Sequence, residues 1–173
     1  MKILEDVILS RIEEKIEEAK KEKIRILGMD KNHPALPSVD AKINSLVLIK
    51  SELLRENKNS KVYNLSKDDE TILLNKMAEK RIQNVKDYTR VGRLELAEAE
   101  QNELEIINEF LPKMPSEEEI KQFISSKIDE LLVSKEEGYK LSMRDMGEVK
   151  RLVNAVYPTV NGGIIKDVLM SRI

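Results

Sequence analysis

Lys80 to Ile120 reads KRIQNVKDYTRVGRLELAEAEQNELEIINEFLPKMPSEEEI, two helical runs separated by a glycine and closed by two prolines. The first run begins upstream at Leu73, Leu74 and Met77 and continues through Arg81, Val85 and Tyr88, the spacing of one helix face. Gly92 ends or interrupts it, and Leu94, Ala97, Leu104, Ile107 and Leu111 carry a second, acidic helix to Pro112. Pro112 and Pro115 cannot both lie inside one helix, and Ser116 with Glu119 has the spacing of a capping box. This places a domain boundary here, with an N-terminal helical domain over 1–112 and a smaller C-terminal domain over 115–173.

Upstream, Leu4, Ile8, Ile12, Ile16 and Ala19, with Ile3 and Val7 beside them, form a helical stripe that runs to about Leu27, where Gly28 is expected to end it. The stretch NHPALPS breaks that helix, and Ser38 is placed as the N-cap of the next, which carries Ile43, Leu46, Val47, Leu53 and Leu54 and fades in ENKNSK. Ser66 with Asp69 predicts a capping box at the start of the helix that reaches Tyr88. Downstream of the boundary, Ile120, Phe123, Ile124, Leu131 and Leu132 predict one helix. Ser142 with Asp145 caps a second, through Met146, Val149, Leu152, Val153 and Val156. Asn161-Gly162-Gly163 turns into a third, carrying Ile164, Ile165, Val168 and Leu169. The fold class is therefore all-α, with long helices in the first domain and three short ones, of about 10 to 16 residues, in the second.

The chain's 173 residues are 40% apolar, almost wholly aliphatic, and 36% charged, which suits helices with one buried stripe and solvated flanks. Cysteine is absent, so no disulfide or thiolate metal site is available and a reducing, cytoplasmic location is expected. Glu5 and Asp6 interrupt the apolar start, and no window reaches the roughly 18 apolar residues of a membrane span, so neither export nor a membrane partner is expected.

Net charge is −2, too little for a global attraction to nucleic acid, but the charge is unevenly placed. From Arg93 to Glu119, nine glutamates face only Arg93 and Lys113; from Lys140 onward, Lys140, Arg144, Lys150, Arg151, Lys166 and Arg172 outnumber Asp145, Glu148 and Asp167.

Catalytic parts are scarce. His33 is the single histidine and lies in a loop beside Pro34, which leaves triads and histidine-based zinc sites without their usual groups. Glutamates of the helix from Glu95 to Glu109 share faces, but no Glu-x-x-His step accompanies them, so a solvated acidic face is expected and no metal or cofactor site is assigned. Gly162-Gly163 lacks a phosphate-loop pattern and reads as a turn. Lys150, Arg151, Lys166 and Arg172 are the candidate RNA-binding residues, on adjacent short helices. With only Tyr139 and Tyr157 available for stacking there, contact with phosphate and sugar is expected rather than base readout.

Several of these segments together resemble the YqeY family, the stand-alone relatives of a tail domain carried by the tRNA-dependent Asp/Glu amidotransferase. The resemblance is strongest in Lys80–Arg81, in the aromatic-x-x-Gly-Arg-x-x-Leu-Ala spacing from Tyr88 to Ala97, stretched by one residue before the glycine, in the step from Glu100 to Leu104, and in Phe110-Leu111-Pro112. SMRDMGEV, with Asp145-Met146-Gly147, and SLVLIKSELLREN add to it. The family's Gly-Arg-Ala-Asp-Gly turn stands here as Thr159-Val160-Asn161-Gly162-Gly163, and the NHPALPS region and the segment from Val62 to Leu65 are longer than in typical members.

The resemblance implies a helical domain followed by a small three-helix domain, and an association with tRNA through the latter without catalysis by this chain. The leading expectation is a non-catalytic tRNA-associated accessory protein. The alternatives are a protein-interaction adaptor docking through the acidic helix 95–109, and an amidotransferase-like protein, a carbon–nitrogen ligase with glutamine as amido donor, active only with other subunits.

Overall fold

A computed structural model describes residues 7–57 and 63–173, and the described residues hold seven α-helices, one 3-10 turn and no strand. The chain divides into two compact units, Met1–Leu111 and Pro112–Ile173.

The first unit holds α1 (Ile8–Met29), α2 (Leu36–Glu56), α3 (Lys67–Arg90) and α4 (Leu94–Phe110). They form two hairpins, α1 with α2 and α3 with α4. The shared core takes Ile8, Leu9, Ile12 and Ile16 from the start of α1 and Leu46, Ile49 and Leu53 from the second half of α2. Leu74 and Ala78 come from the start of α3, and Leu104, Ile107 and Phe110 from the end of α4. The turn ends of both hairpins lie beyond that core, and there Ile24, Met29, Val91 and Leu94 are exposed.

Two local features fix the hairpins. Gly92 adopts φ +75°, where a side chain is strained, and the N–H groups of Arg93 and Gly92 donate to the carbonyls of Tyr88 and Thr89 at 2.8 and 3.2 Å. This is a Schellman motif, and it lets α3 stop and α4 begin after three linking residues. At the other end, Val7 offers α1 no side-chain cap, and the carboxylate of Glu70 on α3 supplies one. Its two oxygens accept the N–H groups of Ile8 and Leu9 at 2.8 Å each, and Oε2 also accepts the Tyr63 hydroxyl at 2.8 Å. Glu70 is fully buried. Three donors and the positive end of α1 compensate its charge, which is how a buried carboxylate is tolerated.

The second unit holds α5 (Glu117–Val133), a 3-10 turn (Met143–Asp145), α6 (Met146–Val156) and α7 (Gly162–Ser171). Its core is aliphatic: Ile120, Ile124, Ile128 and Leu131 from α5, Val149 and Val153 from α6, Val160 from the connection, and Ile165 and Leu169 from α7. Each helix packs on the other two.

The capping boxes at Ser66–Asp69, Ser116–Glu119 and Ser142–Asp145 are all formed. Two expected boundaries are corrected. Gly28 does not end α1, which continues to Met29 and stops at an extended Asp30 whose N–H still donates to Ile26. Ser38 is not the cap of α2, because the helix starts at Leu36 with Pro37 in its first turn, where the missing N–H has no helical acceptor to lose. Leu4, Ile3 and most of the ENKNSK run, with Val62, lie outside the described residues.

Candidate nucleic-acid interface

On α6 the buried residues are Val149, Val153 and Val156, spaced four and three apart. That register forces Lys150 and Arg151 off the core side, and both are exposed. On α7, Ile165 and Leu169 are buried and Lys166 is exposed. None of these three cations forms an ion pair with another described residue. Lys140 and Arg144 share that condition on the segment leading to α6.

Arg172 is different. It is the C-cap residue of α7, and one guanidinium nitrogen donates to the carbonyl and hydroxyl of Ser125 at 3.0 and 2.8 Å while the other pairs with Asp129. These contacts tie the end of α7 to α5, so any contact of Arg172 with a phosphate competes with Asp129 and Ser125. Lys121, Lys127 and Lys135 are likewise occupied, by Glu117, Glu130 and Glu148.

A small polar cluster holds the entry to α6. Asp145 is buried; its carboxylate accepts the Tyr139 hydroxyl at 2.5 Å and the Ser142 N–H at 2.9 Å. The Tyr139 hydrogen bond first, with the Ser142 N–H and nearby Lys135 helping against burial, holds the carboxyl below its ordinary value. The same bond raises the Tyr139 hydroxyl, so it remains a donor. Lys135 lies 5.5 Å over the Tyr139 ring and 3.2 Å from Glu148, and its bond to Glu148 raises its own pKa. Tyr139, one of two rings available for base stacking, is thereby engaged; the other, Tyr157, packs edge-on against Phe123 with centroids 5.0 Å apart.

Residues 112–173 carry ten acidic and ten basic side chains, so the second unit has no net charge. Ion pairs take up equal numbers of each sign, so its positive character is local: from Lys140 onward Lys140, Arg144, Lys150, Arg151 and Lys166 stand unpaired among the described residues, against fewer acids. Sequence reasoning did not separate Arg172 from the other three, because its partners lie 43 and 47 residues away on α5. It also left out Lys140 and Arg144 as site residues, although they flank the readable Ser142–Asp145 box.

Among the described residues no group of acidic or histidine side chains is arranged to hold a metal ion, and no helix is long and apolar enough to cross a membrane. Residues 11–172 match the model of the family described as Yqey-like protein. No curated protein matches the chain.

Proposed function

The chain belongs to the Yqey-like family, and from that premise we propose that it is a tRNA-associated accessory protein whose second unit contacts phosphates. The observation that carries this reading is the set of exposed cations, Lys150, Arg151 and Lys166, that have no anionic partner among the described residues, in a unit where Lys121, Lys127, Lys135 and Arg172 all have one. An unpaired cation reaches a phosphate at no cost to an existing ion pair, and each such contact releases a counterion. Lys140 and Arg144 extend the set along the approach to α6. In this reading the two compact units are separate domains, the protein works in the cytoplasm, and it contributes binding rather than chemistry.

Binding of bulk tRNA to the full chain, measured across a salt series, tests the proposal. With Lys150, Arg151 and Lys166 all changed to glutamine, the slope of log affinity against log salt should fall by about 2 to 3, close to one for each phosphate no longer neutralised. An unchanged slope, or no binding at low salt, removes the proposal.

A further inference from the structure

Within the first unit, α2 and α4 lie side by side and leave an open groove of about 810 Å³ between them. Ala41 and Leu48 on α2 and Ala99 and Ile106 on α4 give it an apolar strip, flanked by Asn44 and Asn102, and Leu48 is 40% exposed. Spacings of seven residues, 41 to 48 and 99 to 106, lay these side chains as two parallel stripes two helical turns long. Ser45, more than nine-tenths buried, lies between these stripes, and its hydroxyl makes no hydrogen bond with another described residue. It also lines a smaller pocket beneath, with Arg81 and Glu103.

The α4 lip carries Glu103, Glu105 and Glu109. Glu103 is taken by Arg81 at 2.9 Å, whereas the carboxylates of Glu105 and Glu109 pair with no described cation. Among the described residues the only cation lining the groove is Lys42, on α2. No lysine or arginine occurs anywhere in α4.

The second groove of this unit, between α1 and α2, contrasts with it. There Glu13 and Glu17 alternate with Lys20 and Lys50, and Lys50 pairs with Glu13 at 3.2 Å. Its charges pair with each other, while the α2/α4 groove keeps the Glu105 and Glu109 carboxylates outside ion pairs with described residues beside an apolar strip, with Arg11 donating only to the Glu109 carbonyl, at 3.3 Å. That combination repels nucleic acid and matches one kind of occupant, a helix with an apolar face and a basic flank.

We propose that the α2/α4 groove docks a basic amphipathic helix of a partner protein. Apolar side chains of that helix cover Leu48 and Ile106, its lysines or arginines meet Glu105 and Glu109, and a polar group reaches the Ser45 hydroxyl. This surface belongs to the first unit and is independent of the phosphate contacts of the second.

The test uses the full chain and a dye-labelled model peptide of leucine and lysine that is amphipathic as a helix, followed by fluorescence anisotropy. Glu105→Lys with Glu109→Lys reverses the lip, and Leu48→Asp charges the strip. Glu14→Lys with Glu18→Lys makes the same charge change on an acidic face of α1. Melting curves by circular dichroism confirm that each variant is folded. The lip and strip variants should each bind at least about tenfold more weakly, with the α1 variant within about twofold of the original. Absence of binding to the unaltered chain overturns the proposal, as does an equal loss in the α1 variant, which would be attraction to acidic protein in general. So does a dimer of the unaltered chain that the lip variant abolishes, because the groove would then be an interface between copies.

Discussion

Arg81 in the first unit and Lys150 in the second are both helix cations near an aliphatic core, and they are treated in opposite ways. Arg81 is 15% exposed and lies between Glu100 and Glu103, at 3.4 and 2.9 Å, while Asn84 donates to Glu100. The Arg81 Nε–H does not point along the shorter of these contacts, so the pair is held by charge and enclosure more than by an aligned hydrogen bond. Lys150 is exposed and pairs with no described residue. Arg81, like Glu70, is thus taken up by the architecture of the first unit, whereas Lys150 stays outside the aliphatic core of the second. Substitutions that disturb folding should therefore concentrate in the first group, and those that disturb recognition in the second.

The largest expected effect is at Glu70. Glu70→Ala leaves the Ile8 and Leu9 N–H groups and the Tyr63 hydroxyl without their acceptor in a buried site, and hydrogen bonds to a charged group contribute about 1.5 to 3 kcal/mol each. Because the three are not additive, a loss of about 3 to 5 kcal/mol is expected in denaturant unfolding followed by circular dichroism. Glu70→Gln should recover less than half of it, since one amide edge would turn N–H donors toward N–H donors. Full recovery by glutamine would show that shape, not the second acceptor, is what α1 requires.

Arg81→Met comes next. It keeps the apolar stem and removes the charge, leaving Glu100 and Glu103 near each other at a half-buried site, with an expected cost of about 1 to 3 kcal/mol. The same measurement applied to Lys150→Met should give a change within about 0.5 kcal/mol, as expected for an exposed side chain with no partner. Equal costs at the two positions would break the contrast.

Arg172 tests where that contrast lies inside the second unit. Arg172→Met should destabilise by about 1 to 2 kcal/mol, because the bonds to Ser125 and Asp129 go, and leave the salt slope of tRNA binding nearly unchanged. The triple change at Lys150, Arg151 and Lys166 should do the reverse. A salt slope reduced by about one unit in Arg172→Met would mean that the guanidinium leaves Asp129 for a phosphate.

What the sequence disclosed and what it hid follow the range of the interactions involved. Helix identity and the three Ser-based capping boxes were legible because a box spans four residues and leaves a local pattern. The start of α2 was misread for the same local reason: Pro37 is a breaker within a helix but acceptable in its first turn, and the pattern does not say which. The cap on α1 was invisible, since Glu70 lies 62 residues from Ile8 and reads as one more acid in Asp68-Asp69-Glu70. At the candidate interface the cations were legible as a class, by their local excess. Only tertiary contacts with α5 separated Arg172 from Lys150, Arg151 and Lys166.

The smallest expected effect concerns the one buried carboxylate described in the second unit. Asp145 is held below its ordinary value, chiefly by the Tyr139 hydroxyl, so folding prefers its charged form. A depressed carboxyl adds stability in full above its unfolded value, about pH 3.9, and that stability fades as pH falls through the lower, folded value. Tyr139→Phe removes the main cause of the depression. The variant should therefore be less stable than the original chain at neutral pH, by a modest amount because Tyr139 is itself partly exposed. The gap should hold down to about pH 4 and shrink below it, as Asp145 becomes protonated in both proteins. Urea unfolding at about pH 7 and about pH 3 reads this directly. A gap that stays constant with pH would assign the Tyr139 ring a packing role over which Lys135 sits, and would leave Ser142 alone to orient Asp145 at the entry to α6.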